Sequence, residues 1–109
     1  MTSFKPISIA VLTRIIGDNI GLLRHKKKMN RDVLAEKSGV SKSTIFNIES
    51  GKPINLDRLV NIANALEVHP VELFLPEENR AALTFANNLL FDELNKLDQL
   101  NQLKKIIGK

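Results

Sequence analysis

The sequence contains no cysteine, no tryptophan and no tyrosine. Without a thiol there is no disulfide, thiolate metal site or cysteine nucleophile, and the chain needs no oxidising compartment. Long apolar runs are missing as well. The run near the N-terminus, Ile7 to Leu12, is interrupted by Ser8 and closed by Thr13 and Arg14. It falls well short of the ~18 residues of a membrane span and is too short for a secretory core. Neither a membrane segment nor a leader is expected, and the cytoplasm is the expected location. Phosphate-cradling glycine loops, nucleophile–base signatures and metal-ligand clusters are also missing. His25 and His69 stand far apart with no ligand-spaced partner. The adjacent acids Glu77-Glu78 and Asp92-Glu93 point apart on a helix and read as solubilising. No enzyme activity, cofactor or metal is expected.

What remains is a chain of 109 residues, enough for one modest core and an appended element. Leu, Asn, Lys, Ile and Ala dominate and strand-forming runs are few, which is the composition of an all-α protein. The net charge of +4 is unevenly spread: residues 1–75 hold 11 Lys/Arg against 7 Asp/Glu, while 76–109 hold five of each. A positive excess confined to the first two-thirds suits a polyanionic partner docked there.

Pro6 keeps residues 1–7 out of a helix. Ile9, Leu12, Ile16, Ile20 and Leu23 then recur at three- and four-residue steps, one face of a first helix whose N-cap is Ser8 or Thr13. The later cap gives an arm over residues 1–12 and a domain over 13–75. Gly17 and Gly21 each cost that helix up to ~1 kcal/mol relative to alanine, so they point to close packing. Asn30 caps a second helix with Val33, Leu34 and Ala35 inward, and Gly39 stops it. Ser41 caps a third, carrying Ile45 and Ile48 and ended by Gly51. Asn55 caps a fourth, with Leu56, Leu59, Val60, Ala63 and Leu66 on one face. His69-Pro70 opens one more turn, turning Leu73 and Phe74 to the core. After Pro76, helical spacing is sustained from Leu83 to Ile107, as one long helix or as a hairpin bent near Asn95 or Asn101.

The stretch from Leu34 to Gly51 is two short helices across a tight turn. Ala35 is small where the next helix crosses it, Gly39 supplies a positive φ, and Val40 plugs the angle between the helices. With Ile45 and Ile48 gripping inward, Ser43, Asn47 and Ser50 point the opposite way. That outward face is small, polar and able to enter a groove about 12 Å wide. Phe46 is read as packing at the core edge, with contact to a thymine methyl as the alternative.

This stretch resembles the Cro/repressor-type (xenobiotic-response-element, lambda-repressor-like) helix-turn-helix family, and the likeness runs from about Ile16 to Phe74. Ile16-Gly17-Asp18-Asn19-Ile20 with Leu23-Arg24 looks like its first helix. Leu59 to Leu66, then Val68 and Val71-Glu72-Leu73-Phe74, look like its last two. The resemblance implies a five-helix DNA-binding domain in which Lys42, Ser43, Thr44 and Asn47 reach base edges. It implies phosphate contacts from Asn30, Arg31 and Lys52, and a partly buried ion pair between Arg24 and Glu49. This sequence departs from the family at Arg31, where glutamine is usual, at Phe46, where a small polar residue is usual, and at Lys28 and Glu67, where glycines are common.

Residues 77–109 lie outside the resemblance. Their stripe, Leu83, Leu90, Leu94, Leu97 and Leu100, is broad for so small a domain and is read as a dimerisation surface. The expectation is therefore a regulator that binds double-stranded DNA in the major groove as a homodimer, probing a pseudo-palindromic operator with recognition helices ~34 Å apart, and acting as a repressor. The alternative is an antitoxin-type protein that autoregulates its operon and holds a protein partner through the same C-terminal segment.

Overall fold

The computed structural model describes residues 3–108, with side chains for all of these except 79–91. Among the described residues every regular element is helical: α1 (Ile9–Lys26), α2 (Arg31–Ser38), α3 (Lys42–Glu49), α4 (Leu56–Leu66), a 3-10 helix (Pro70–Phe74) and α5 (Glu77–Ile107). The first five form the domain and α5 extends from it.

Each of the first four starts at a side-chain cap. Ser8 Oγ accepts from Val11 N at 3.2 Å, Asn30 Oδ1 from Val33 N at 2.9 Å, Ser41 Oγ from Thr44 N at 3.2 Å, and Asn55 Oδ1 from Arg58 N at 2.8 Å. The cap at Ser8 corrects the arm expected over residues 1–12, since α1 already begins at Ile9. Thr13 is inside the helix, its hydroxyl turned back onto the Ala10 carbonyl at 3.2 Å, which is how a mid-helix threonine satisfies itself.

The ends of α1 and α4 close in the same way. The Met29 N–H reaches back to the Arg24 carbonyl, and the Val68 N–H to that of Ala63, both at 3.0 Å. This closure needs one left-handed residue, and here those residues are Lys28 (φ 54) and Glu67 (φ 59). The glycines missing from these places in the sequence are missing where the backbone would favour them.

The core is formed by Ile16, Ile20, Leu34, Val40, Ile45, Ile48, Leu59, Ile62, Ala63, Leu66 and Leu73, with Leu12, Leu23, Met29, Ala35, Ile54 and Phe74 packed around it. Three expected core residues lie elsewhere. Leu56 and Val60 are exposed on α4, whose inward face is set instead by Leu59, Ile62, Ala63 and Leu66, and Val33 is exposed on α2. Leu56 and Ile9 rim a shallow apolar hollow that Leu12, Ile16, Leu59 and Phe74 line.

The segment after Pro76 is one uninterrupted helix, so no hairpin forms: Asn95 and Asn101 both lie within it. Its root is held by Asn19. This buried side chain on α1 donates through Nδ2 to the carbonyls of Leu73 at 2.8 Å and Leu75 at 2.7 Å. An exposed ion pair, Lys26 to Glu77 at 2.7 Å, lies beside it. No helix of the described residues is long and apolar enough to cross a membrane.

Candidate nucleic-acid interface

The site is built on α2, its turn and α3. Gly39 ends α2 in the left-handed conformation (φ 74) with its N–H on the Ala35 carbonyl at 2.9 Å. The buried Ser38 Oγ accepts from Val40 N at 3.2 Å, so the turn is satisfied from within. Val40 is buried between the two helices, and Ile45 and Ile48 anchor α3 inward. Because α3 has only eight residues, these two anchors determine which side faces out.

Lys42, Ser43, Phe46, Asn47 and Ser50 lie on the exposed side. Asn47 carries the amide that can bond adenine at two points. Ser43 Oγ sits 3.3 Å from the cap hydroxyl of Ser41, and the half-buried Thr44 accepts a hydrogen bond from Ser41 at 2.7 Å. Thr44 therefore belongs to the capping cluster more than to the open face. Lys42 leans toward Asp32 at 3.2 Å, an exposed pair of the kind that contributes little and yields readily.

Of the three residues assigned to phosphates, Lys52 is exposed just beyond α3, with its N–H on the Asn47 carbonyl at 3.0 Å. Asn30 caps α2, so its oxygen is already engaged. Arg31 faces inward: Nη2 lies 3.1 Å from Glu49 Oε1, and its guanidinium carbon sits 5.1 Å from the centre of the Phe46 ring. Phe46 is 54% exposed. It does not pack at the core edge; the arginine covers one side of it, a cation–π arrangement.

Arg24 and Glu49 meet in a two-point pair, Nε to Oε2 at 2.8 Å and Nη2 to Oε1 at 2.9 Å, with side-chain exposures of 6% and 8%. Arg24 Nη1 also donates to the Met29 carbonyl at 3.0 Å. Burial alone would raise the Glu49 pKa, but the hydrogen bonds and charges of Arg24 and then Arg31 outweigh it and hold the carboxyl below its ordinary range. Two arginines from α1 and α2 thus fix the last turn of α3.

Two residues here were not singled out by sequence reasoning. Arg14 donates through Nη2 to the Ser50 carbonyl at 2.8 Å, just past the end of α3. It joins α1 to the end of α3, but nothing in its local sequence distinguishes it from a solvated arginine. Asn19 did leave a signal: it stands between Ile16 and Ile20 on the buried side of α1, where a polar residue needs partners. Of the stripe assigned to dimerisation, Leu94, Leu97 and Leu100 are exposed on α5. Leu83 and Leu90 lie outside the residues whose side chains are described.

A helix-turn-helix family model matches residues 20–73. Among solved structures, the restriction-modification controller protein C.AhdI from Aeromonas hydrophila is similar at 30% identity, covering 57% of this chain and 96% of its own, with a TM-score of 0.55. A hypothetical transcription factor, NHTF from Neisseria, shares the fold at 24% identity, covering 76% of this chain and 97% of its own, with a TM-score of 0.62. No match is found among the curated proteins. With the turn at Gly39, the outward face of α3 and the controller protein matched over nearly its whole length, the chain belongs to the Cro/repressor-type helix-turn-helix family of DNA-binding transcription regulators.

Proposed function

We propose that this protein is a sequence-specific transcriptional repressor that binds a pseudo-palindromic operator as a homodimer. The observation that carries this reading is the face of α3, where Asn47, Ser43 and Lys42 stand exposed while Ile45 and Ile48 are buried against the domain. Such a face suits the major groove, where amide, hydroxyl and ammonium groups find distinct donor and acceptor patterns at each base pair. Asn47 and Lys42 read bases, with Ser43 beside them and Thr44 at the margin. Lys52, Asn30 and Arg31 meet the backbone, with Arg31 exchanging part of its Glu49 contact for a phosphate.

The domain alone covers one half-site. Pairing two copies through α5 supplies the second, at a separation of one helical turn or a multiple of it. Bound at its operator, such a dimer represses by occluding polymerase. The likeness to a restriction-modification controller protein supports a regulator.

The test is selection of bound fragments from random DNA, followed by mobility shifts at physiological salt. An inverted-repeat site bound at least ~1000-fold more tightly than random duplex is expected. Equal affinity for both would defeat the specificity claim.

A further inference from the structure

In the described part of α5 the leucine positions are symmetric under reflection and the flanking charges change sign. Taking the midpoint between Asp98 and Gln99, Leu97 reflects onto Leu100, Leu94 onto Leu103, and Glu93 onto Lys104. All four leucines are about half exposed, and the far end adds an apolar hollow lined by Leu100, Leu103, Lys104, Ile107 and Gly108. Spacing by three turns a stripe through ~60° at each step, so Leu94 and Leu103 stand on opposite sides of the helix and cannot share one straight seam. A different set can. At ~100° per residue, Glu93, Leu97, Leu100 and Lys104 fall within ~30° of one direction, spaced four, three and four. Leu94 and Leu103 flank that line at ~90° on either side.

We infer that two copies of this chain pair through the C-terminal half of α5 in antiparallel register, about a two-fold axis between Asp98 and Gln99. The inference rests on the homodimer reading above and specifies its geometry. Leu97 of each copy packs against Leu100 of the partner subunit, and Glu93 faces Lys104 of the partner subunit at both ends of the seam. Parallel pairing of the same faces would set Glu93 against a second Glu93 and Lys104 against a second Lys104, and like charges at seam positions are repulsive. Among the described residues Glu93 makes an exposed pair with Lys96 at 3.3 Å, which contributes little and does not compete. Antiparallel pairing also sends the two DNA-binding domains outward in opposite directions. The first turns of the paired helices then lie ~65 Å apart, closer to two turns of duplex than to one.

Sedimentation of the full chain and its variants tests this register. Glu93→Lys and Lys104→Glu should each weaken the dimer about tenfold, and the double exchange should return to within about threefold of the parent. Leu97→Ala with Leu100→Ala should dissociate it. Circular dichroism should show α5 still helical in each. The absence of native cysteine allows an independent check. Under mild oxidation Glu93→Cys should not cross-link to itself, because its counterpart is ~16 Å away along the seam. It should cross-link to Lys104→Cys when the two variants are mixed. A protein monomeric at every concentration would overturn the dimer reading and this one together. A dimer in which the double exchange stays as weak as the two single changes combined, or in which Glu93→Cys joins itself, would overturn the antiparallel register and leave dimerisation standing.

Discussion

Gly17 on α1 lies so close to the carbonyl oxygen of Ile48 on α3 that a β-carbon there would overlap it, with the Glu49 backbone at 3.3 Å behind. Gly21, one turn further along α1, differs: a β-carbon would meet the Glu49 side chain at ordinary contact, its carboxylate oxygen nearest at 3.4 Å. Gly17→Ala should therefore destabilise the domain by ~1–3 kcal/mol, the usual cost of overpacking. Gly21→Ala should be neutral or stabilising by up to ~1 kcal/mol, because it removes a helix-interior glycine. Urea titrations of the two variants give the comparison directly, and opposite ranking would show that α1 and α3 can shift apart.

Lys28 and Glu67 each hold a left-handed backbone at a helix end. Lys28→Gly and Glu67→Gly should each raise stability by ~0.5–1 kcal/mol, since the side chain strains that conformation. Glu67→Gly also removes a pair with Lys27 at 3.8 Å, but the glutamate side chain is 85% exposed and its loss should be minor. Thermal melts with a higher midpoint are the expected readout.

Acid should loosen the grip on α3. The folded-state pKa of Glu49 lies below its ordinary value because Arg24 and Arg31 outweigh the effect of burial. A depressed carboxyl pKa adds stability that is complete above the unfolded-state value and fades as pH falls through the folded one. Stability should thus decline below about pH 4.5, the unperturbed value. Glu49→Gln should lose that part of the pH profile. It should also cost ~3–5 kcal/mol at neutral pH by leaving Arg24 without its carboxylate.

On DNA, Asn47→Ala should relax selectivity at one base-pair position in each half-site by ~1–3 kcal/mol, measured by competition against single-base variants of the operator. Lys52→Ala should weaken all sequences alike and reduce the salt dependence of binding by about one unit of slope. An Asn47→Ala protein with unchanged base preference would mean that another face does the reading.

Much of this was legible in the sequence because it depends on local chemistry. The caps at Asn30, Ser41 and Asn55, the turn glycine and the inward pair Ile45 and Ile48 are each dictated by neighbours a few residues away. What was not legible depends on which element lies opposite. Leu56, Val60 and Val33 have core-like identities, yet among the described residues they are left exposed. Phe46 looks like a packing residue in the sequence because the arginine that covers it comes from another helix. Arg14 and Asn19 act across 36 and 54 residues of chain, a distance that no local pattern reports.

The two hydrogen bonds that Asn19 makes just ahead of α5 do more than satisfy a buried amide. They tie the chain just ahead of α5 to α1, and in the proposed dimer that tie would bear on how far apart two grips fall. An apolar residue of similar bulk, Asn19→Leu, should leave each grip able to close on its own half-site. The molecule would then behave as callipers with a loosened pivot, accepting operators whose halves are several base pairs too near or too far, which a spacing series in mobility shifts would reveal.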